Sequence, residues 1–290
     1  PRPLEPTVLA PAATGADTFI QRFGGDPDSI FGNLGLQPEG LENPAAALGL
    51  GTFCRLFEDA ARQTGHDNLG LWFGNQFRPR DLGLLGYAAV SSPDLTTALR
   101  SMVGLFAFHQ QASVLSLRSD GDLMRLEYQI TDSQIVARRQ DAELSLGMFY
   151  NVFRECHGIQ WAPLEVHFEH PEPEQPQGHQ SAFDAPIFFN QPTNALVFRR
   201  SDLDAAMPNA DSRLLEVVRS CLAALHDEPA NGQNIVDRTR AAVRERLADG
   251  YPAIEAVARE LGLGVATLQR RLARENVTYK ELVEETRQDL

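Results

Sequence analysis

Apolar and polar positions change their spacing several times along the chain, and those changes divide it into elements. Residues 1–16 (PRPLEPTVLAPAATGA) have no period, are rich in Pro and Ala, and are expected to form a mobile tail. Residues 17–64 read as helices. Asp17 is placed to cap a short one, and Asn43-Pro44 makes an N-cap and N1 pair ahead of a helix over 45–64 that Gly65 stops. Asn68 offers a further cap, and a glycine-rich loop over 78–87 (RPRDLGLLGY) separates it from Ser92-Pro93-Asp94, which opens a helix to about residue 108. Alternation then takes over: residues 113–118 and 123–130 flank Ser119-Asp120-Gly121-Asp122 and predict a β-hairpin. Ser133 begins a long helix to about residue 157, with Ile135, Ala142, Leu146, Phe149 and Phe153 at helical spacing. Residues 164–170 read as a strand, 171–178 (PEPEQPQG) as a loop that packing does not easily order, and 187–189 and 195–198 as two short strands. A helix over 209–226 follows. The expected fold is an α+β domain of mixed helices and short antiparallel strands over 17–226, a linker at 227–232 and an all-α region over 233–290.

Composition narrows the classes. The 290 residues are 43% hydrophobic and 22% charged, enough for a sizeable core, and no run of 18 apolar residues spans a bilayer, so no membrane partner is expected. Residues 230–290 hold ten basic and ten acidic side chains, so the net charge of −13 falls entirely on the first part. A neutral region with bunched arginines can meet phosphates while its acidic companion stays clear of them. Three widely spaced cysteines, Cys54, Cys156 and Cys221, fit reduced thiols in the cytoplasm, with no disulfide framework.

Enzyme signatures are absent: there is no GxSxG, HExxH or EF-hand loop, and the only lysine, Lys280, follows Tyr279 and so rules out a Walker A motif. No catalytic residue or cofactor is expected. His167 and His170, three apart on a predicted strand, fall on opposite faces, which is poor geometry for one ion, and no metal site is assigned. Glu165, Glu169 and Glu172 read as a solvated strand edge. His109 beside Gln110 and Gln111 fits either a polar pocket or, more simply, a helix-terminal histidine in water. Phe106, Phe108, Phe149 and Phe153 would line an apolar ligand site but are more simply core.

The strongest constellation lies at 251–275 (YPAIEAVARELGLGVATLQRRLARE). Pro252 suits a first helical turn, Ile254, Val257, Ala258 and Leu261 form one stripe, and Gly262 ends the helix. After Leu263 and Gly264, a second helix buries Val265, Leu268 and Leu272 and leaves Ala266, Gln269, Arg270, Arg271 and Arg274 facing outward. That is the plan of a helix-turn-helix, whose second helix enters the major groove of double-stranded DNA. Gln reads adenine, and Arg reads guanine or holds phosphate. Two packed helices with exposed arginines remain the plainer alternative.

Residues 256–290 (AVARELGLGVATLQRRLARENVTYKELVEETRQDL) resemble the first helix-turn-helix of AraC/XylS-type transcription regulators. The resemblance puts Ala266, Gln269 and Arg270 at base edges, with Thr267 in the same DNA-binding set, and Arg271 and Arg274 toward phosphates or packing. Gly264 departs from the small hydroxyl residue usual before the recognition helix, which costs a cap. Residues 80–100 (RDLGLLGYAAVSSPDLTTALR), 163–173 (PLEVHFEHPEP) and 194–198 (NALVF) resemble the amino-acid-responsive ligand-binding domain of the same regulators. The resemblance implies a cytoplasmic, non-enzymatic regulator, expected as an activator and homodimer, with an operator and a small effector as partners. Such regulators carry a second helix-turn-helix, so the chain reads as truncated at Leu290 and is expected to bind its operator weakly.

Two clusters suggest an effector site: Arg138-Arg139-Gln140-Asp141 at the start of the long helix and Arg78-Pro79-Arg80-Asp81 in the glycine-rich loop. Paired arginines clamp phosphate or carboxylate, and Arg with Asp matches guanine. Arg78, Arg80, Arg138, Arg139 and Asp141 are therefore the expected ligand-binding residues for an anionic effector, most sharply cyclic di-GMP. The alternatives are solvated surface charges with an amino acid or other small metabolite as effector, or, remotely, an enzyme or binding module in which the C-terminal helices only pack.

Overall fold

A computed structural model describes residues 5–37, 41, 43, 45–174, 176–227, 235–247, 252–261, 264–274 and 277–288. The chain divides into two units, one ending at Asp227 and one starting at Glu228. The expected linker lies, but for Asp227, outside the described residues, as does the turn at Gly262 and Leu263.

The first unit begins with β1 (Thr7–Leu9), a short 3-10 turn, α1 (Ala16–Arg22), α2 (Pro27–Leu34), β2 (Ala47–Gly49), α3 (Leu50–Thr64) and α4 (Leu69–Gln76). Residues 5–16 are not a tail. β1 pairs antiparallel with β2, Val8 opposite Leu48, and Ala10, Ala13 and Ala16 are fully buried. Their small side chains fit a close-packed seam that composition alone reads as low complexity. Asn43 caps a turn and not a helix, its Oδ1 accepting from Ala45 N at 3.0 Å, so the helix expected from residue 45 starts at Leu50 after a strand. Gly65, at φ 69°, ends α3 as expected.

Next come α5 (Leu84–Val90), α6 (Leu95–His109), β3 (Ser113–Asp120), β4 (Leu123–Ile130) and α7 (Arg139–His157). The glycine-rich loop is mostly helical, a 3-10 turn over Pro79–Leu82 leading into α5. Asp94 caps α6 by accepting from Thr97 N at 2.7 Å, and β3 and β4 form the expected hairpin. α7 starts six residues later than expected because Asp132 folds the chain into a turn, its side chain accepting from Gln134 N at 2.9 Å. β5 (Glu165–His167), α8 (Gln177–Phe183), β6 (Ile187–Phe188), β7 (Asn194–Arg199) and α9 (Ser212–Asp227) complete the unit. α8 starts within the segment expected to be a loop, and its His179 and Phe183 are fully buried.

The main sheet has the order β3-β4-β7-β5-β6, antiparallel except between β5 and β6. Met124, Leu126, Tyr128 and Ile130 alternate inward along β4, and Phe153 of α7 meets Phe198 of β7 edge-on at 4.7 Å. Gly70 and Gly74 of α4 lie against the carbonyls of Gln140 and Leu144, and a Cβ on Gly147 of α7 would sit 2.8 Å from Asn75 N. These glycines let the two helices touch backbone to backbone, which fixes the first turns of α7 beside α4.

The second unit contains α10 (Ile235–Leu247), α11 (Ile254–Glu260), α12 (Val265–Arg274) and α13 (Tyr279–Gln288). Val243, Val257, Ala258, Leu268, Leu272, Leu282 and Val283 form its core. Thr278 caps α13 reciprocally: its hydroxyl accepts from Glu281 N at 3.3 Å, while Glu281 Oε2 accepts from Thr278 N at 2.8 Å.

Candidate functional site

The second unit presents one face of α12. Leu268 and Leu272 are buried, which turns Ala266, Gln269, Arg270 and Ala273 to solvent on the opposite side, with Thr267 half-buried between the faces. A spacing of three and four residues keeps the exposed four together. Gly264 starts the helix, its carbonyl accepting from Leu268 N at 2.9 Å. α11 packs against α12 through Val257 and Ala258, and Tyr279 Oη donates to the Pro252 carbonyl at 3.0 Å, tying the start of α13 to that of α11. Side chains of Arg271 and Arg274 lie outside what is described.

In the first unit, the expected effector residues do not form one site. Arg80 stands 3.9 Å from Glu155, late in α7, whereas Arg138, Arg139 and Asp141 are at its start, about 24 Å away at 1.5 Å per residue. Arg78 is spent on Asp81, at 3.0 and 3.1 Å, and its side chain is 83% exposed. Arg139 is tied to Glu143 Oε1 at 2.8 Å, Asp67 Oδ1 at 2.8 Å, the Asp67 carbonyl and Asn68 Oδ1. Arg138 donates to the Ile130 carbonyl at 2.8 Å. Asp141 turns into the core at 1% exposure. The expectation of an open arginine clamp is corrected accordingly: helix periodicity sends Asp141 inward, and the arginines hold α7 to its neighbours.

What α7 does organise is a buried polar interior. Tyr128 Oη donates to Asp141 Oδ2 at 2.6 Å and accepts from Gln110 Nε2 at 2.6 Å. Asp141 Oδ1 and His109 Nδ1 are buried without a hydrogen-bond partner. Phe106 and Phe149 pack edge-on around the Tyr128 ring at 5.7 and 5.8 Å. Burial pushes the Asp141 carboxyl up to about 7, with the Tyr128 hydrogen bond pulling the other way, and holds His109 down to about 4. His109 is therefore no solvated helix end: it is 3% exposed. Its neighbours Gln110 and Gln111 gave a hint of polarity, but only the tertiary fold buries its ring, 6.1 Å from that of Phe106.

Of a second cluster, the sequence singled out only His170. His170 Nε2 and His179 Nε2 lie 3.4 and 2.9 Å from Glu143 Oε1, all three side chains being nearly or fully buried. His167 belongs elsewhere, bound to Glu165 at 2.8 Å and Arg125 at 3.2 Å. The pair expected to point apart does so, and His170 finds its partner on α8, nine residues on.

With this geometry in place, resemblance to known proteins decides the class. Residues 24–207 match the arabinose-binding domain of AraC transcription regulators, N-terminal. The chain belongs to the AraC family of transcription regulators. Among relatives of this AraC-family chain, an ornithine utilization regulator of Pseudomonas aeruginosa is 24% identical over 274 residues, covering 94% of this chain and 80% of that protein. The transcriptional regulator VirS of Mycobacterium tuberculosis is 24% identical over 279 residues, with the same coverage. The crystal structure of the regulator CdpR of Pseudomonas aeruginosa shares the fold at a TM-score of 0.52, with 20% identity, over 93% of this chain and 84% of that one. The AraC-type regulator thus has a ligand-binding N-terminal domain followed by a helical region. No helix among the described residues is long and apolar enough to cross a membrane.

Proposed function

We propose that this regulator reads duplex DNA with the outward face of α12, through Ala266, Thr267, Gln269 and Arg270 at base edges and Arg271 and Arg274 at phosphates. The observation that carries the reading is the division of α12 between buried Leu268 and Leu272 and exposed Ala266, Gln269 and Arg270. A helix held by one face against α11, with Ala266, Gln269 and Arg270 exposed on the other, is shaped for a major groove. The test is selection of a preferred site from a randomised duplex pool, followed by binding of the Gln269→Ala, Arg270→Ala double variant. Unchanged affinity for the selected site overturns the assignment.

Control comes, in this reading, from an amino acid or related small metabolite bound in the first unit. The ornithine named for one relative supports that class. So does the interior: Asp141 Oδ1 lacks a partner that an ammonium group would supply, beside the Tyr128 hydroxyl. A cyclic dinucleotide on Arg138 and Arg139 would have to displace the contacts of Arg139 to Glu143, Asp67 and Asn68. Calorimetric titration with ornithine, other amino acids and cyclic di-GMP separates the two. Amino-acid binding lost in Asp141→Asn supports the metabolite; cyclic di-GMP binding lost in Arg138→Ala, Arg139→Ala overturns it. The working form in this reading is a cytoplasmic homodimer acting as an activator. α9 seats Leu215, Val218 and Leu222 within its own unit while leaving Leu214 and Val217 exposed, which supports a dimer.

A further inference from the structure

Glu143, His170 and His179 come from three separate segments, α7, the stretch after β5, and α8, and their ligating atoms lie within 4.8 Å of one another. Glu143 and His179 are fully buried and His170 is 11% exposed. Phe168 and Phe189 flank both imidazoles, at ring distances of 4.9 to 5.6 Å. Such a group has to balance its own charges and protons, because its polar atoms are buried.

It does not balance as it stands. His170 Nδ1 faces the Pro171 carbonyl at 2.9 Å and must carry the proton there. In the neutral ring, Nε2 then presents a lone pair to Glu143 Oε1 at 3.4 Å, an acceptor against an acceptor, and it has no hydrogen-bond partner. Glu143 Oε2 is likewise buried and unpartnered. The one cation bonded to Glu143 Oε1 among the described residues, Arg139, is shared with Asp67.

We propose that Glu143, His170 and His179 bind a divalent first-row transition-metal cation of the zinc type. Two imidazole nitrogens and a carboxylate oxygen suit such ions, which take ligands at about 2.0–2.2 Å. Donors about 3.3 Å apart then share one tetrahedral ion; the two imidazole separations from Glu143 Oε1, 2.9 and 3.4 Å, bracket that value, and all three ligating atoms lie within 4.8 Å of one another. The Pro171 carbonyl fixes the tautomer of His170, as the outer partner of a ligating histidine does, and Arg139, donating to Glu143 Oε1, orients the carboxylate. The ion would pin α8 and the end of the β5 segment to α7, the helix that also supplies Asp141. A fourth coordination position would remain for water or a small ligand.

The test uses the full chain stripped with a chelator and titrated with Zn2+ by calorimetry and thermal unfolding. The expected result is one ion per chain, a sub-micromolar Kd and a rise in Tm. His170→Gln and His179→Gln should each weaken binding by about 100-fold or more, while His66→Gln, at an exposed ring, leaves it unchanged. X-ray absorption of the zinc-loaded wild type should report two imidazole nitrogens among the ligands, whether or not the variants fold. Substoichiometric or high-micromolar binding, a zinc spectrum without imidazole, or wild-type affinity in folded His170→Gln overturns the site.

Discussion

At the residue scale, glycines in helices separate packing from propensity. Gly74 lies against the Leu144 carbonyl where α4 crosses α7, whereas Gly104, exposed on α6, has nothing within 4 Å of where a Cβ would go. Gly74→Ala should therefore destabilise the protein by about 1–3 kcal/mol or more through a clash with backbone that cannot step aside. Gly104→Ala should stabilise it by about 0.5–1 kcal/mol by removing chain entropy from the unfolded state. Opposite signs from one substitution type, read by denaturant unfolding, would confirm the close crossing. His109 gives a second residue-scale prediction. Its folded value, about 4, is below the unfolded value of about 6.5, so the unfolded chain binds the extra proton between them. The stability His109 contributes is present above about pH 6.5 and is lost as pH falls toward 4, by up to about tenfold in the folding equilibrium per pH unit. The stability difference between wild type and His109→Leu, followed from pH 7.5 to 4.5, isolates this effect; Asp141, shifted upward, acts in the opposite sense in both proteins and drops out. A flat difference would mean that His109 titrates freely.

At the scale of elements, the helices around α12 can be probed one support at a time. Thr278→Ala removes the hydroxyl that accepts from Glu281 N at the head of α13 and should cost about 1 kcal/mol, seen as a lower unfolding midpoint of the second unit. Elements with their own punctuation were legible in the sequence. The β3–β4 hairpin around Gly121, α6 behind Asp94, and α12 with its apolar stripe needed only local chemistry. Elements set by distant partners were not. β2 looks helical until β1 pairs with it, and α8 sits in a proline-rich stretch whose order comes from burying His179 and Phe183. The same distinction divides the sites. Gln269 and Arg270 were readable because one helix places them, while the Glu143–His170–His179 group spans three elements and has no sequence spacing to betray it. Asp141 was picked out by its arginine neighbours, but its inward direction follows from where α7 begins, seven residues after the Asp132 turn that the sequence reading missed.

At the scale of the whole molecule, charge is divided unevenly along the chain. Residues 230–290 are neutral overall and the rest carries −13, so DNA attraction must come from local arginines and not from a general basic surface. Operator affinity should consequently fall only gently with salt. Arg274→Ala should reduce the slope of log affinity against log salt by about one while leaving base preference intact, and Gln269→Ala should change preference with the slope retained. The most direct measurement of the central claim is binding of the wild type and of Gln269→Ala, Arg270→Ala to the duplex selected from a random pool and to a scrambled duplex. The α12 assignment predicts a loss of about 10- to 1,000-fold on the selected duplex and a much smaller change on the scrambled one. Equal affinity of the two proteins for the selected duplex would contradict it.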